Sequence, residues 1–585
     1  MKRLVSVVVA ILLISTCFSA LAEGDKSIVR EESLVVFWGQ WGVVSSYNPL
    51  SSSANCSVIG GGNELTYESL FMYNMLTNEI EPLLATGYEW TADNQITVKL
   101  NSAAHWNDGE PFTAADVAYT FNLANRYDLS WSSHWTYLES VEAVDDYTVV
   151  FALKADPFNT KDIIGALATT MMLPEHVWQA REDEAGGDIT ALREIFNESF
   201  VSTGPFLYYF NDETKVVVVR DDNYWGQDAS MFGKLTPVKY FVIPIYNSND
   251  VGNLDLANGD VDVSQSFIAD VWELWADGQP IRCYLDELPY YLPGSMPSLI
   301  FNVIRPGLSD PVVRKAIALC IDYGMVADMA MCGYTDDIVP SLLLLNTVEA
   351  QYEDQTNEAL LALRWDTTDV EGNVEKANAM LDEAGYMDVN SDGWREMPDG
   401  SPIEWKVECP YGWTDWNASL EITAQSAEEI GLKLTTYFPE SPVWNNDMQT
   451  GDFDIVMNTP SGSAAAQPWS RAYTIMYSGN CAPIGEVTYS DYGRYSNARA
   501  DELINLIAAT DDMEKLAAYY TELDTIFLTD LPTVPLMYRP LHFYTVNSTH
   551  WTGYPVEGDG SNVPPNCLIY GASVRGLYMI EPVAK

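Results

Sequence analysis

Short strand-like segments alternate with amphipathic helices along most of this chain, and this alternation limits the folds that it can adopt. Strand candidates rich in valine, isoleucine, phenylalanine and tyrosine lie at residues 34–38, 96–100, 148–153, 215–220 and 238–245. Such residues are enriched in strands because they pack well on a pleated, half-buried surface. Alternation of strands with helices is typical of an α/β protein and disfavours an all-β sandwich or a helical bundle.

Several of the helices carry their own start signals. Thr113 with Asp116 three residues later forms a capping-box pattern before a helix over 114–127. Asp310 before Pro311 places a hydrogen-bond acceptor at the N-cap and a proline at the first helical position. Further helices are predicted over 374–384, 418–430, 498–509 and 513–528. No repeat or flexible linker divides the chain, so we expect two interleaved lobes joined by several crossovers.

The first residues are typical of an export signal. A basic pair precedes an apolar run over 4–14, and residues 20–22 form a small-x-small cleavage site. We expect cleavage after residue 22 and a mature chain that is periplasmic or extracellular. The alternative is a lipoprotein anchored through Cys17, although Thr16 is bulkier than the small residue that usually precedes such a cysteine.

The charge balance excludes several kinds of partner. The chain has 30 lysines and arginines against 83 acidic residues, a net charge of −53. Such a surface repels phosphate backbones and anionic lipid headgroups, so neither nucleic acid nor a membrane surface is an expected partner. Hydrophobic residues make up 47% of the chain, which supports a large core and disfavours disorder.

Seven cysteines remain after residue 22, and their spacing matches no zinc or redox motif. They are Cys56, Cys283, Cys320, Cys332, Cys409, Cys481 and Cys567. An odd number of cysteines cannot all pair within the chain. Up to three disulfides are therefore possible, and the sequence does not specify which cysteines they join.

The chain has no common catalytic motif. It contains no G-x-S-x-G, no H-E-x-x-H and no glycine-rich phosphate loop. Its histidines are widely separated and are predicted to be structural or on the surface: His105, His134, His176, His542 and His550. A secreted glycosidase, which needs two carboxylates beside the scissile bond, remains an alternative. A chain with 83 acidic residues always offers such a pair, so the presence of one is little evidence for catalysis. The signal for catalysis is weak throughout the chain, and we do not predict an enzyme.

One acidic loop has the spacing of a calcium site. Positions 1, 3, 5, 9 and 12 of the loop are Asp388, Asn390, Asp392, Glu396 and Asp399. Gly393 stands at position 6, where calcium loops need a sharp turn, but the twelfth position is an aspartate instead of the usual bidentate glutamate. We expect a structural calcium ion here and no other cofactor. The alternative is an Asx-rich turn without metal.

Tryptophan and tyrosine are concentrated in loops that follow predicted strands. The chain has 18 tryptophans and 34 tyrosines. Three clusters give the candidate ligand-binding residues: Trp38, Trp41 and Tyr47; Tyr411, Trp413, Asp415 and Trp416; Asn458 and Trp469. A sugar ring packs its C–H face on an aromatic ring, while its hydroxyls bond to polar neighbours. Ligands of α/β sheets bind beyond the carboxyl ends of strands, although core packing is the ordinary alternative for any one tryptophan.

A series of short blocks extends over most of the chain in a fixed order. The blocks include YNPL at 47–50, HWNDGEPFTAADV at 105–117, GPF at 204–206, DPVVRKAI at 310–317, GDFD at 451–454 and PLMY at 535–538. In this order they resemble the extracellular solute-binding proteins of family 5, the oligopeptide- and nickel-binding class of ABC importers.

The resemblance implies a two-lobed periplasmic-binding-protein fold of type II, in the large cluster C class, with an extra domain inserted in lobe one. The implied boundaries are 1–22 for the signal peptide, 23–68 with 200–298 and 536–585 for lobe I, 69–199 for inserted subdomain II and 299–535 for lobe III. It also implies a monomer that delivers its ligand to the permease subunits of an ABC importer.

The ligand is inferred from a departure from the family pattern. Peptide binders of the family hold the ligand's ammonium with an aspartate in the loop after the strand corresponding to 453–457, yet loop 458–469 contains no acid here. An ammonium buried without a carboxylate costs on the order of several kcal/mol. Segments 412–416 and 553–565 look more like the cello-oligosaccharide-binding branch. We expect a neutral oligosaccharide, with an oligopeptide as the alternative.

Overall fold

The computed structural model describes residues 27–51, 56–460 and 467–584. Its strands, in chain order, are β1 (Ser33–Phe37), β2 (Phe71–Asn74), β3 (Glu79–Pro82), β4 (Ala85–Ala92), β5 (Gln95–Leu100), β6 (Leu138–Asp145), β7 (Thr148–Leu153), β8 (Phe206–Asn211), β9 (Lys215–Arg220), β10 (Tyr240–Pro244), β11 (Val263–Ser264), β12 (Ile281–Cys283), β13 (Pro293–Ser295), β14 (Ser298–Phe301), β15 (Trp405–Glu408), β16 (Leu434–Tyr437), β17 (Ile455–Asn458), β18 (Thr533–Pro535), β19 (Arg539–Pro540), β20 (Thr545–Asn547), β21 (Trp551–Thr552) and β22 (Glu581–Pro582).

The α-helices, in chain order, are α1 (Ala114–Arg126), α2 (Thr160–Thr169), α3 (Glu175–Glu184), α4 (Ile189–Arg193), α5 (Asn249–Asn258), α6 (Trp272–Ala276), α7 (Pro311–Cys320), α8 (Tyr323–Met325), α9 (Glu358–Leu361), α10 (Val370–Glu383), α11 (Thr414–Glu428), α12 (Ser441–Thr450), α13 (Gln467–Met476), α14 (Ala498–Ala508) and α15 (Met513–Asp530). Short 3₁₀ or π turns lie at Arg30–Glu32, Ser132–Thr136, Trp225–Gln227, Val326–Ala330, Val348–Tyr352, Ser478–Asn480 and Gly571–Tyr578. The mixture of strands and helices confirms the α/β prediction.

A seven-stranded sheet organises the first half of the molecule, in the order β12-β20-β11-β1-β10-β9-β8. Strand β1 lies at its centre and is parallel to both β10 and β11, whereas the outer pairs are antiparallel. The β1 side chains are almost all buried, as expected for a central strand covered on both faces. The residues that follow β1 lie at the boundary with the second half, where Trp41 contacts Trp413.

A four-stranded antiparallel sheet, in the order β4-β5-β7-β6, is built entirely from residues 85–153. Helix α1 packs on it and begins with the predicted capping box, because the bonds between Thr113 and Asp116 are formed in both directions. In the chain this sheet falls between β1 and β8 of the large sheet, which is the order expected for an insertion into lobe I. The individual domain boundaries stay predictions.

The second half is organised around a five-stranded sheet in the order β16-β15-β17-β14-β18. Strand β15 is parallel to β16 and β17, and β14 is antiparallel to β17 and β18. Helix α7 starts as predicted, because the Asp310 carboxylate accepts a hydrogen bond of 2.9 Å from the backbone N–H of Val312. The loops after β15 and β17 leave the same edge of the sheet, since parallel strands end together.

The chain passes between the halves on two neighbouring extended segments, β13 and β19, which we call the crossover pair. They are antiparallel. The Ser295 hydroxyl donates to the carbonyls of Arg539 at 3.1 Å and Pro540 at 3.2 Å. Connections of this kind let two lobes rotate about a cleft without separating.

The described residues form two large hydrophobic cores, and the one centred on the second half also includes Phe37 and buried side chains from 256 to 283 of the first half. One cluster of buried side chains contains most of those from 299–543, and a second contains most of those from 34–243 and 544–580. The seven cysteines after residue 22 all lie in described residues, and none is disulfide-bonded. No helix in the described part of the chain has the length and apolarity needed to cross a membrane. The predicted signal peptide lies outside the described residues.

Candidate ligand-binding cleft

A cavity of about 450 Å³ lies between the two halves beside the crossover pair, and we call it the crossover cavity. The side chains that line it include Trp38, Trp41, Ser57, Asn63, Asn249, Gln265, Ser266, Trp413, Asp415, Trp416, Arg539, His542 and Tyr570. They come from several chain segments that are far apart in sequence and belong to both halves. The complete cavity therefore requires the halves to be together.

The first half contributes two of the predicted tryptophans immediately after β1. Gly39, between them, has a φ of +57°, a conformation that glycine adopts without strain. Trp38 is 3% exposed and packs edge-on against Tyr570, with ring centroids 5.3 Å apart. Trp41 is more exposed and contacts the ring of Phe37 at 5.6 Å. The turn at Gly39 brings both indoles to the cavity wall.

The second half contributes Trp413, Asp415 and Trp416 from the start of helix α11. This helix begins at Thr414, earlier than the predicted start at residue 418. Two of the three residues therefore lie on the first helical turn and not in the predicted loop. The side-chain carbonyl of Asn417 accepts a hydrogen bond from the Gly412 N–H at 3.1 Å, which fixes the chain where it enters the helix.

The indoles of Trp413 and Trp416 pack edge-to-face, with centroids 5.0 Å apart and planes at 76°. Behind them lies Trp444, whose ring is 5.7 Å from that of Trp413. Trp444 is on helix α12 and is nearly buried, and nothing in the sequence distinguishes it from an ordinary core residue. Edge-to-face packing of this kind is favourable and holds the rings in fixed orientations.

The two halves touch across the cleft. The rings of Trp41 and Trp413 are 6.0 Å apart. The backbone N–H of Asn249 donates to the Gly412 carbonyl at 3.3 Å, and the Asn249 side chain donates to the Thr414 hydroxyl at 3.2 Å. These contacts join helix α5 of the first half to the start of α11, so the structure represents a closed arrangement.

The charged side chains of the described cavity wall neutralise each other. The guanidinium Nε of Arg539, on β19, donates to a carboxylate oxygen of Asp415 at 2.7 Å. The Asp415 side chain is 1% exposed and that of Arg539 is 18% exposed. Among the described lining residues Asp415 is the acid and Arg539 the base. The wall therefore carries no net charge.

His542 adds a neutral polar group to this wall. Its ring stacks on that of Tyr570, with centroids 4.7 Å apart and planes at 4°. Burial, together with the positive charge of Arg539, lowers the pKa of His542 to about 4. The imidazole is therefore neutral at pH 7 and offers one donor and one acceptor. The sequence predicted only a structural or surface role for this histidine.

Three buried polar atoms in the wall have no hydrogen-bond partner among the described residues. They are the hydroxyl oxygens of Ser57 and Ser266 and the indole nitrogen of Trp416. A buried polar group that makes no hydrogen bond costs about 1–3 kcal/mol. All three belong to residues that line the cavity, so they are the wall's unsatisfied polar groups nearest to a bound ligand.

Four predicted site residues are not brought to this cavity: Tyr47, Tyr411, Asn458 and Trp469. Tyr47 is fully buried in the core of the first half, where its hydroxyl donates to the Asn211 side chain at 3.1 Å. Trp469 is 4% exposed, and its indole N–H donates to the Ile504 carbonyl at 3.1 Å. Both rings have their polar atoms satisfied within the protein.

Tyr411 follows β15 and Asn458 is the last residue of β17, but both lie outside the cavity wall. Tyr411 is 58% exposed, and its backbone N–H is held by the Pro439 carbonyl at 2.8 Å. The Asn458 amide points to the Met448 sulfur at 3.0 Å. A position at the carboxyl end of a strand is thus insufficient to place a side chain in the cleft.

The acidic loop predicted to bind calcium brings three of its carboxylates together. Oxygen atoms of Asp388, Asp392 and Glu396 lie within 4.8 Å of one another. Each of these groups also bonds within the loop, as when Asp388 accepts from the Gly393 N–H at 3.0 Å. Asp399 caps its own turn by accepting from the Ser401 N–H at 2.9 Å. Calcium binding by this loop, which includes Asn390, stays a prediction.

A comparison with family models gives one match, to the family described as bacterial extracellular solute-binding proteins, family 5 Middle, over residues 79–482. Among curated proteins, the probable peptide-binding protein YejA of Agrobacterium fabrum is 22% identical over 537 residues, which cover 85% of this chain and 83% of the relative. A peptidoglycan-binding protein, YepA, of the same organism is 26% identical over 49% of this chain and 48% of the relative.

Solved structures match over nearly the whole chain. The periplasmic oligopeptide-binding protein of an ABC transporter from Thermotoga maritima, solved with bound mannohexaose, has a TM-score of 0.85 at 28% identity and covers 96% of this chain and 100% of that one. The oligopeptide-binding protein AppA of Bacillus subtilis, solved with a nonapeptide, has a TM-score of 0.74 at 19% identity, with 94% and 99% covered. The predicted two-lobed periplasmic-binding-protein fold is confirmed.

Proposed function

Because the chain belongs to family 5 of the bacterial extracellular solute-binding proteins, we propose that it captures a neutral oligosaccharide in the crossover cavity and delivers it to an ABC importer. The family resemblance expected from the sequence blocks is confirmed, whereas the cello-oligosaccharide branch stays a prediction. Proteins of this family are substrate-binding proteins and not enzymes, so the activity is reversible capture without covalent chemistry.

The observation that carries the proposal is the charge neutrality of the cavity wall. The carboxylate of Asp415 already has a cationic partner in Arg539 at 2.7 Å. A peptide ammonium placed here would compete with that guanidinium for the carboxylate, and the ion pair would be lost unless the peptide's own carboxylate replaced it as the partner of Arg539. Separating a buried ion pair costs on the order of 3–5 kcal/mol. A neutral ligand avoids this cost.

The remaining wall groups match a polyhydroxylated ring. The indoles of Trp38, Trp41, Trp413 and Trp416 come from both halves and offer apolar faces and edges for the C–H faces of a sugar. The unpartnered hydroxyls of Ser57 and Ser266 and the neutral imidazole of His542 accept and donate hydrogen bonds. The structural neighbour from Thermotoga maritima is 28% identical to this chain and was solved with bound mannohexaose. This neighbour supports the same ligand class.

An oligopeptide is the second candidate, and one observation favours it. Asp415 and Arg539 both reach the cavity, so a zwitterionic ligand could exchange their mutual ion pair for two new ones. The relative YejA is named as a probable peptide-binding protein. This candidate differs from the first in requiring a charged ligand terminus.

A thermal-shift screen of the mature chain separates the two candidates. The ligands are mannohexaose, cellohexaose, xylohexaose and unblocked tri-, penta- and hexapeptides. A ligand that binds only the folded state at 100 times its Kd stabilises the protein by about 2.7 kcal/mol. We expect at least one hexasaccharide to raise the melting temperature and the peptides to leave it unchanged. A rise with peptides alone would replace the oligosaccharide by the second candidate.

A further inference from the structure

A second cavity, of about 740 Å³, lies between the inserted sheet region and the second half, and we call it the distal cavity. One side is formed by residues 49–51 and 128–133 with Arg193, and the other by residues from 473 to 490. The family match does not assign a role to it. Like the crossover cavity, it has walls from both halves of the molecule.

The distal cavity is lined chiefly by uncharged side chains, with Asp128 and Arg193 as its charged groups. Its polar side chains are chiefly hydroxyls and an amide, among them Ser132, Ser133, Thr474, Asn480 and Thr488. The guanidinium of Arg193 is held by backbone carbonyls, with its Nε donating to that of Leu50 at 3.2 Å. The Ser132 and Thr488 hydroxyls and the Asn480 amide bond within the protein. Of these five side chains, Ser133 and Thr474 therefore offer their hydroxyls to a neutral polyhydroxyl ligand.

Aromatic rings face this polar surface. Tyr473 lies in the middle of a stacked row, 5.0 Å from the Trp469 ring and 4.8 Å from the Tyr477 ring. The row fixes the orientation of Tyr473, which lines the cavity. Tyr489 also lines it and is 62% exposed. A large aromatic side chain left this exposed beside hydroxyl groups is a surface on which a sugar face packs.

The two cavities are close enough for one chain-like ligand to reach both. Ser51 lines the distal cavity and Cys56 lines the crossover cavity. These residues are five positions apart in the chain, and five residues span at most about 18 Å when fully extended. The backbones at these two wall positions therefore lie within about 18 Å of each other.

We propose that the distal cavity binds the far part of a long neutral oligosaccharide whose near part occupies the crossover cavity. This inference rests on the proposed function and extends it to ligand length. Both cavities need the first and second halves together, so occupation of either one favours the closed arrangement. We expect a ligand that fills both to bind more tightly than one that fills the crossover cavity alone, because it adds the contacts of the distal cavity to the same closed arrangement.

Calorimetric titration of Tyr489→Ala with mannotriose and mannohexaose, and with cellotriose and cellohexaose in parallel, tests the inference. Loss of the exposed ring is expected to weaken hexasaccharide binding about tenfold and to leave trisaccharide binding within about twofold of wild type. Val487→Ala is the matched control, since Val487 is 53% exposed in the same loop and does not line the distal cavity. Ser133→Trp, which fills the cavity from the opposite wall, should give the same length-dependent loss.

The outcomes separate this inference from the proposed function. If neither length of saccharide binds the wild-type chain, the proposed function fails and the inference fails with it. If both lengths bind and Tyr489→Ala and Ser133→Trp change neither, or change both equally, the oligosaccharide function stands and the distal site is wrong. A loss confined to the hexasaccharides in both variants supports the distal site.

Discussion

Trp413 and Trp416 line the same cavity but differ in their surroundings. Trp413 is partly exposed and meets Trp41 across the cleft, so it depends on closure for its contacts. Trp416 is 4% exposed, and its indole N–H has no acceptor among the described residues. A ligand that reaches Trp416 would gain both a ring contact and a hydrogen bond.

Replacing Trp416 by alanine is expected to weaken oligosaccharide binding by about 1–3 kcal/mol, the range found for other aromatic stacking platforms. Trp90→Ala is the control, because Trp90 is 40% exposed on the inserted sheet and does not line the cavity. Fluorescence titration with mannohexaose measures both variants. Equal affinities for Trp416→Ala and wild type would remove Trp416 from the site.

His542 provides a pH test of the same wall. Its pKa is lowered to about 4, whereas an unfolded histidine titrates near 6.5. Between these values the unfolded chain binds a proton that the folded chain does not, so this group's contribution to stability falls as the pH falls from 6.5 to 4. The difference in unfolding free energy between wild type and His542→Gln should therefore shift against wild type over that range. Denaturant melts of both at pH 7, 5.5 and 4.5 measure this difference, and a value that stays constant with pH would contradict a histidine that is neutral in the folded state.

Individual side chains were predicted less well than their segments. Trp38 and Tyr47 follow the same strand and share the same loop signal, yet only Trp38 reaches the cavity, because the Tyr47 hydroxyl finds Asn211 inside the core. Arg539 and His542 carried no signal at all, since they enter the site only when the crossover pair brings their segment beside helix α11. Such convergence is a tertiary property that local sequence does not encode.

At the level of elements, hydrogen-bonding capacity explains which boundaries could be predicted. Helices α1 and α7 start where predicted because Thr113, Asp116 and Asp310 are side chains that cap helix N-termini. Helix α11 starts after Trp413, which makes no side-chain capping bond. The chain before this helix is held instead by Asn417, a residue within the helix whose side-chain carbonyl accepts from the Gly412 N–H. A start without a capping residue leaves no local signal.

Helix α5 shows how a residue behind the cavity wall shapes the cavity. A Cβ atom on Gly252 would lie 2.1 Å from the ring of Phe37, and Phe37 is 1% exposed and lines the cavity. Gly252→Ala should therefore displace that ring, cost about 1–3 kcal/mol of stability and weaken ligand binding. Gly87→Ala, where nothing lies within 4 Å of the new atom, is the control. Unchanged melting and binding of Gly252→Ala would show that the contact relaxes without effect.

The whole molecule combines a strongly acidic surface with an uncharged binding cavity. The net charge of −53 attracts cations over a range that salt shortens, from about 30 Å at 0.01 M to 8 Å at 0.15 M. A neutral ligand does not experience this attraction. The two-lobed architecture was predictable because ordered blocks extend over both halves, whereas the cavity's charge balance depends on one ion pair between distant segments.

Ionic strength therefore distinguishes the ligand classes at the scale of the whole protein. The affinity for a neutral hexasaccharide should change by less than about twofold between 0.01 M and 0.5 M NaCl, because no net charge is transferred. A lysine-containing peptide held by the acidic surface should lose affinity over the same range. Fluorescence titrations at four salt concentrations make the comparison, and a steep salt dependence for the saccharide would be inconsistent with an uncharged site.

Calorimetric titration of residues 23–585 with mannohexaose and with an unblocked hexapeptide, at one ionic strength, is the most direct test of a cavity that binds neutral ligands. We expect saturable binding of the saccharide with a Kd of about 1 μM, near −8 kcal/mol, and no heat from the peptide. Saturable binding of the peptide, with no heat from mannohexaose or cellohexaose, would contradict the oligosaccharide function.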